Sequence, residues 1–275
     1  MAAYHFDTLA VNYVAESVLH VALNRPAKLN AMNSQFWDDL AACMRQASSD
    51  SDVRSIVLSG NGREFSAGLD LMSVSPLQNS ENKDAARKAL DFVQGTRRLQ
   101  NAISSVEKCW KPVIAAVHGM CIGGGVDLIT ACDIRFCSAD ASFCVKEVAI
   151  GLAADIGTLQ RMPKVVGNGS LVRELALTGR NMYAAEAKDC GLVSTILANR
   201  EELMNHAVKT ASVIASHSPV GVVSTKANLN FSRDHSVDDG LEFVLAWNAG
   251  ALQTGDMMKA AMAGMQKKTV KFSKL

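Results

Sequence analysis

The chain has 275 residues, 48% of them hydrophobic, with 28 lysines and arginines against 27 aspartates and glutamates. That is long enough for a substantial core and too apolar for a disordered chain. The charge balance gives no electrostatic reason to expect nucleic acid or a membrane surface as the main partner. No apolar run reaches the ~18 residues of a membrane-spanning helix.

The N-terminal stretch MAAYHFDTLAVNYVAES has the pattern of neither a secretory signal nor an Arg-rich transit peptide, so no mitochondrial presequence is expected. Thr8 to Ala15 and Ser17 to Asn24, rich in Val and Leu, predict a hairpin. A helix capped at Asn33 or Ser34 follows, with Phe36, Trp37, Leu40, Ala41 and Met44 on one side. Ser55 to Ser59 reads as a short buried strand, and Phe65 to Leu71 as a loop. Leu77 to Lys83 is a polar surface loop, and Ala85 to Val106 a long amphipathic helix. Pro112 to His118 is a continuous apolar run, the pattern of a strand covered on both faces. Gly123 to Gly125 open a helix over 126–131, and Ile134 to Cys137 is a further strand. Alternating strands and helices with short connections predict an α/β core over residues 1–198. Residues 199–270 read as a helical subdomain with helices at 201–216, 220–231, 237–252 and 257–266, and residues 271–275 as a tail. That tail ends Ser273-Lys274-Leu275, the address read by the peroxisomal import receptor, which predicts an exposed C-terminus and the peroxisomal matrix.

Seven cysteines form no CxxC pair and lie in apolar surroundings, the pattern of buried thiols in a reducing compartment. No His/Cys/Asp cluster has metal spacing, and no Gly-x-Ser-x-Gly elbow is present. His118, beside the glycine run, reads as a satisfied core or loop residue.

Two small-residue loops carry more chemical interest. In His118 to Asp127, three consecutive glycines stand between a strand and a helix, where backbone approaches a ligand closely and helix N–H groups favour negative charge. The run fits neither GxGxxG nor GxxxxGK[ST], and tight helix packing explains it equally well. Phe65 to Asp70 also follows a strand. An oxyanion hole takes two converging N–H donors, and Gly68-Leu69 and Gly123-Gly124 are the two places that could expose them. The stretch Phe143 to Arg161 then holds two carboxylates, Glu147 and Asp155, in small apolar company, with only Lys146 and Arg161 as nearby cations. Buried acids need partners or shifted pKa values. Pairing of Glu147 with either cation, and capping by Asp155 of a helix starting near Gly157, are the structural alternatives.

Taken together, these segments resemble the crotonase, or enoyl-CoA hydratase/isomerase, superfamily. The resemblance rests on Asn24-Arg25-Pro26 with Leu29 to Met32, on Phe65 to Asp70, and on Ala116 to Gly119 through Gly123-Gly124-Gly125 and Asp127. It continues through Ala131 to Arg135, Gly157 to Arg161, Ala184 to Ala187 and Gly191 to Val193, and so covers almost the whole chain. The resemblance implies a spiral of ββα turns and a C-terminal helical subdomain that builds homo-oligomers, trimers or dimers of trimers. It also implies an acyl-coenzyme A thioester as substrate, with no metal or redox cofactor. The enolate oxygen would be held by the backbone N–H groups of Leu69 and Gly124. Ala67, Gly68, Leu69, Asp70 and Leu71 would line the pantetheine and adenine path. Lys28 would meet a phosphate, with Lys267 and Lys268 as weaker candidates. Asp133 and Arg135 match as a structural pair.

The acids separate the branches. Hydratases of this superfamily resemble two-glutamate machines, whereas this chain has Asp127 at the first position and Glu147 at the second. It adds Asp155 where hydratases usually carry glycine. The trio Asp127, Glu147, Asp155 looks like the branch that converts 3,5-dienoyl to 2,4-dienoyl thioesters. That shift takes a proton from carbon 2 and delivers one at carbon 6, which two separated acids serve better than one. The expected roles are Glu147 as the base at carbon 2 and protonated Asp155 as the acid at carbon 6, with Asp127 tuning their charge. A hydratase or 3,2-enoyl isomerase is the alternative, and a non-catalytic RNA-binding member of the fold a more distant one.

Overall fold

The computed structural model describes residues 3–72 and 83–275. Except for Lys83, the polar loop expected over 77–83 lies outside them. The hairpin forms as β1 (Leu9–Ala15) and β2 (Val18–Leu23), antiparallel with Leu9 opposite Leu23. Strands β3 (Ser55–Gly60), β4 (Val113–Val117), β6 (Ile134–Ser138) and β9 (Thr195–Leu197) add in parallel, giving the order β1-β2-β3-β4-β6-β9. Every residue of β3 and β4 is buried, so neither alternates: β4 is apolar throughout, and β3 buries Ser55 and Ser59 beside Ile56, Val57 and Leu58. A second, three-stranded sheet joins β5 (Met120–Ile122), β7 (Ser142–Cys144) and β8 (Met182–Tyr183).

The chain passes repeatedly from one sheet to the other. After β4 in the large sheet comes β5 in the small one, then α3 (Gly124–Thr130). The next pass runs β6, β7, then α4 (Thr158–Val165) and α5 (Gly169–Thr178). Another runs β8, α6 (Ala184–Asp189) and back to β9. This repeated climb is the expected spiral of ββα turns. Its small-sheet strands have two or three residues each, too short to leave a period in the sequence.

Helix α1 (Ser34–Ser49) starts where predicted, with the Asn33 side chain accepting the Phe36 N–H at 3.0 Å. Helix α2 (Ala85–Lys108) buries only Ala102, Ile103 and Val106, near its C-terminal end, and leaves Leu90, Phe92 and Val93 exposed. Four helices complete the chain: α7 (Arg200–Ser216), α8 (Pro219–Ser232), α9 (Val237–Ala251) and α10 (Asp256–Met265). Of these, α7 packs Leu203, Ala207, Ala211 and Ala215 against Val18, Val57, Ile114, Ala116 and Phe136 of the large sheet. It closes one face of that sheet, while the larger core, with Phe36, Leu40, Ile103 and Leu128, lies elsewhere around the spiral. Helix α8 is fastened by Lys226, whose ammonium reaches Asp133 at 2.8 Å and the Lys111 carbonyl at 3.0 Å. Asp133 therefore pairs with Lys226, not with Arg135, which donates to the carbonyls of Leu192 and Cys132. The C-terminal residues are mostly exposed yet tethered: Arg54 donates to the Phe272 carbonyl at 2.6 Å, and Lys274 pairs with Asp52.

Six of the seven thiols are buried and all are free, and burial pushes those of Cys43, Cys132 and Cys137 up to about 12. His118 is buried, with Nε2 3.1 Å from the Gly62 carbonyl oxygen. Among the described residues, no helix is long and apolar enough to cross a membrane.

Lys226 is 7% exposed at its side chain, so its replacement leaves Asp133 without its counter-ion in a poorly hydrated place. Lys226→Met should lower stability by about 3 kcal/mol. A denaturant titration checks this, and an unchanged midpoint would mean that α8 is held by apolar packing alone.

Candidate active site

The two small-residue loops lie side by side, stitched as a parallel ladder that extends beyond the strands. Phe65 N–H donates to the His118 carbonyl at 2.9 Å, Ser66 N–H to Met120 at 2.9 Å, and Ile122 N–H to Ser66 at 3.0 Å. The first loop is held from its other edge as well, with Met32 N–H on the Gly68 carbonyl at 2.7 Å and Asp70 N–H on the Met32 carbonyl at 3.0 Å. That bridge uses the groups on either side of Leu69, so the Leu69 N–H faces away from it and has no acceptor among the described residues. Gly124, first residue of α3, likewise donates to no protein acceptor among them, as expected at a helix N-terminus. At Gly68, where φ is +87°, a Cβ would stand 2.7 Å from the Ile122 carbonyl oxygen and 3.7 Å from the Gly124 nitrogen. Only glycine lets the two donors come this close.

Behind this loop pair, Asn30 acts as a peg. Its side-chain amide donates to the carbonyls of Asn61 and Glu64, both at 2.8 Å, and its carbonyl accepts the Ser66 hydroxyl. Asp70 is part of the same scaffold, its carboxylate 2.9 Å from the Arg25 guanidinium. Lys28 ends a short 3-10 turn, is exposed, and lies outside the cavity described next.

A cavity of about 130 Å³ opens onto both loops. Ala67, Gly68, Leu69, Leu71 and Gly124 line it together with Glu147 and Asp155, the two acids separated by eight positions in the sequence. Trp37, Leu99, Ile122, Leu152 and Ile156 supply an apolar wall. Sequence periodicity marks Trp37 and Leu99 as apolar helix residues but cannot tell a core position from the lining of a pocket. Asp127 does not line the cavity. It is completely buried inside α3, and its Oδ1 accepts the N–H of Thr158.

Two separate contacts bear on the structural alternatives. The start of α4 is capped from a distance by Asp127, and the Asp155 side chain caps nothing. Arg161, expected near Glu147, is occupied by Glu107 at 3.0 Å and Ser104 at 2.9 Å. Glu147 thus has no ion-pair partner among the described residues, and its Oε2 is buried without a hydrogen bond. Its Oε1 lies against the loop pair: a Cβ on Gly123 would stand 3.0 Å from it.

Burial lifts Glu147 above the usual carboxyl range, and the charge of Asp155 lifts it further. Burial also lifts Asp155, which is half-buried and opens on a second, polar cavity. Asp127 is pushed up to about 7, chiefly by burial and next by the charge of Glu147, against the pull of the Thr158 N–H. Both carboxyls are thus raised, and of the two Glu147 is the one with an oxygen buried without a hydrogen bond. The expectation from sequence places the proton of the pair on Asp155. The arrangement as a whole offers two backbone donors for a developing oxyanion and two carboxyl groups within one cavity. Among the described residues, no three His, Cys, Asp or Glu side chains gather as a metal site.

Comparison with known proteins gives a match to the enoyl-CoA hydratase/isomerase family over residues 14–272. A Rattus norvegicus protein described as Delta(3,5)-Delta(2,4)-dienoyl-CoA isomerase, mitochondrial, is 50% identical, over 99% of this chain and 84% of its own. An Arabidopsis thaliana protein described as Delta(3,5)-Delta(2,4)-dienoyl-CoA isomerase, peroxisomal, is 45% identical over 94% of each chain. Among solved structures, the enoyl-CoA hydratase from Bacillus anthracis superposes with a TM-score of 0.87 at 27% identity, covering 97% of this chain and 99% of that one.

The buried Asp127 makes a prediction about stability. A carboxyl that holds its proton to about pH 7 when folded, and loses it near its ordinary value when unfolded, stabilises the fold fully only at low pH. That contribution is lost as pH rises through about 7, by at most about 4 kcal/mol. Asp127→Asn keeps the acceptor for Thr158 and removes the titration. Urea midpoints between pH 5 and pH 8 should therefore fall less in the variant than in the wild type, and parallel curves would mean that Asp127 is already ionised in the folded chain.

Proposed function

The chain belongs to the enoyl-CoA hydratase/isomerase family, and from that membership and the site's two acids we propose that it is an isomerase of 3,5-dienoyl-CoA thioesters, yielding 2,4-dienoyl-CoA. The observation that carries this reading is a single apolar cavity in which Glu147 and Asp155 face two unpaired backbone N–H groups. The thioester oxygen accepts from Leu69 and Gly124. As the carbon-2 proton leaves, negative charge gathers on that oxygen, so donors already aimed there stabilise the transition state more than the substrate. The dienolate extends this charge to carbon 6, where a second acid adds a proton. The shift is redox-neutral and uses only the coenzyme A already present in the thioester.

For the acids we propose that Asp155, as carboxylate, takes the carbon-2 proton and that Glu147, neutral in its enclosed position, delivers one to carbon 6. Asp127 contributes from behind as a buried charge near Glu147 and as the anchor of the segment that carries Asp155. This same placement disfavours hydration. The first acid of a two-glutamate hydratase has to hold a water in the cavity, whereas Asp127 is sealed inside α3 with Oδ1 already engaged. Close likeness to two proteins described as dienoyl-CoA isomerases supports the same choice.

Two further readings are proposals of the same standing. Exposed Leu241, Leu245, Met258 and Met262 on α9 and α10 suit a homo-oligomer, trimer or dimer of trimers, in which Lys267 and Lys268 approach a neighbour's coenzyme A phosphates. Ser273-Lys274-Leu275 suits peroxisomal import, as does the peroxisomal description of the Arabidopsis relative. The rat relative is described as mitochondrial.

Purified protein should convert 3,5-octadienoyl-CoA to the conjugated 2,4-dienoyl thioester, followed by ultraviolet absorbance. Asp155→Asn and Glu147→Gln should each lower kcat on the order of 10²- to 10⁴-fold. Exchange of the carbon-2 hydrogen with solvent separates the roles. It should survive in Glu147→Gln and vanish in Asp155→Asn, and the opposite pattern would exchange the two assignments. Light scattering should give three or six times the chain mass, with Leu245→Glu shifting it towards the monomer. A monomeric wild type would end the oligomer proposal.

A further inference from the structure

An isomerisation of this kind leaves the acid pair inverted. One carboxyl has gained the proton from carbon 2 and the other has given one to carbon 6, so substrate and product have the same composition but the enzyme does not return to its starting form. The pair resets in one of two ways. The gained proton crosses directly to the other carboxyl, or it leaves to solvent water while a solvent proton reloads its neighbour.

The walls around Asp155 bear on this choice. Asp155 and Ile156 line the acyl cavity and also a second cavity of about 510 Å³ between α2 and the start of α4. The character of the two spaces differs sharply. Where the acyl cavity is walled by Trp37, Leu99 and Leu152, the second is walled by Gln100, Ser104, Glu107, Gln160 and Arg161. Gln100 donates to the Asp155 carbonyl at 2.7 Å, fixing the segment at the boundary. Arg161, Ser104 and Glu107 form a continuous hydrogen-bonded wall, with contacts of 2.9 and 3.0 Å. Arg97, Lys108 and Lys164 add exposed cations to its lining, and Arg233 and Asp234 close it from the end of α8. A space of this size and polarity suits water, which needs several polar partners to be held. Glu147, by contrast, lines no part of it.

We infer that this polar cavity is the proton port of the acid pair. The proton taken from carbon 2 leaves Asp155 through it to solvent water, and Glu147 is reloaded by water entering the acyl cavity once product departs. One proton out and one proton in restore the resting site, with no oxidant, reductant or further reactant. The inference rests on the isomerase reading above; with the two roles exchanged, the same cavity would reload Asp155 instead of draining it.

The test uses the full chain and 3,5-octadienoyl-CoA deuterated at both carbon-2 positions, in ordinary water at saturating substrate, with the product analysed by NMR and mass spectrometry. Expected is protium at carbon 6 and loss of one deuterium to solvent. Gln160→Trp and Asn101→Trp place bulk on two exposed residues at opposite walls of the cavity, which leaves the core intact, and a thermal melt verifies this. Both variants should show a severalfold lower steady-state kcat with an unaltered single-turnover rate, and a severalfold rise in deuterium at carbon 6. Wild-type product that carries the carbon-2 deuterium at carbon 6 would overturn the port in favour of direct return. Well-folded variants with unchanged kcat and label would overturn it too. Absence of any conversion by the wild type would remove the isomerase reading and the port together, a result distinct from active enzyme with retained label.

Discussion

Everything in this site depends on a backbone constraint: two loops held parallel and close enough that their free N–H groups face one space. Most unpaired donors in a protein are costly, and folding normally removes them. Here the pairing pattern itself leaves two over. In the bridge between Met32 and Leu69, the partners are the Gly68 carbonyl and the Asp70 N–H, so Leu69 is the residue whose own donor must face outward. On the other loop, Gly124 begins a helix and has no turn before it to accept its proton. The glycine at 68 is the condition for both, because the Ile122 carbonyl occupies the space a Cβ would need. Side chains outside the pocket, Asn30 and Arg25 among them, then hold the loops still, which is what lets a donor be aimed before charge develops.

Around that frame the three acids are graded by depth. Asp127 is fully buried with Oδ2 bare, Glu147 is partly buried and also has one bare oxygen, and Asp155 stands at the boundary with a polar cavity. Desolvation favours the neutral form of each, and their mutual repulsion spreads the titrations further. Both effects work against ionising all the acids together, and a carboxylate beside a carboxylic acid is the state that a proton shift between two carbons uses. An ion pair between Arg161 and either acid would collapse that arrangement. Glu107 prevents this by holding its guanidinium on the far wall.

Much of this is legible in the residues, and the reasons differ for the parts that are not. Glycine runs after apolar strands and carboxylates among small apolar residues are chemically unusual, so Gly68, Gly124, Glu147 and Asp155 stand out from the sequence alone. Long elements such as α1 and β4 also follow from their patterns. The small sheet does not, because strands of two or three residues cannot display a period. Helix α4 starts where the sequence places a helix, near Gly157, and α7 carries the helical pattern of the C-terminal region although it covers the large sheet. Least legible is the exchange of capping duty. An aspartate two residues before a helix invites the reading that Asp155 is the cap, and only the spatial contact from α3 to Thr158 gives that task to Asp127.

The donors and the acids belong to different parts of the spiral, and this has a chemical consequence. Leu69 and Gly124 are fixed by a ladder that involves neither Glu147 nor Asp155. The acids come from the segment after β7, a 3-10 turn over Glu147–Ile150 followed by irregular chain up to α4. On the proposed reading, enolate stabilisation is therefore built once, in backbone, while the fate of the enolate is decided by side chains on a separate stretch. A single change there, such as glycine in place of Asp155, would leave the oxyanion pocket intact yet remove one end of the proton shift. Likeness in fold at 27% identity to a hydratase structure is compatible with this division, because one backbone frame can carry different side chains on a separate stretch.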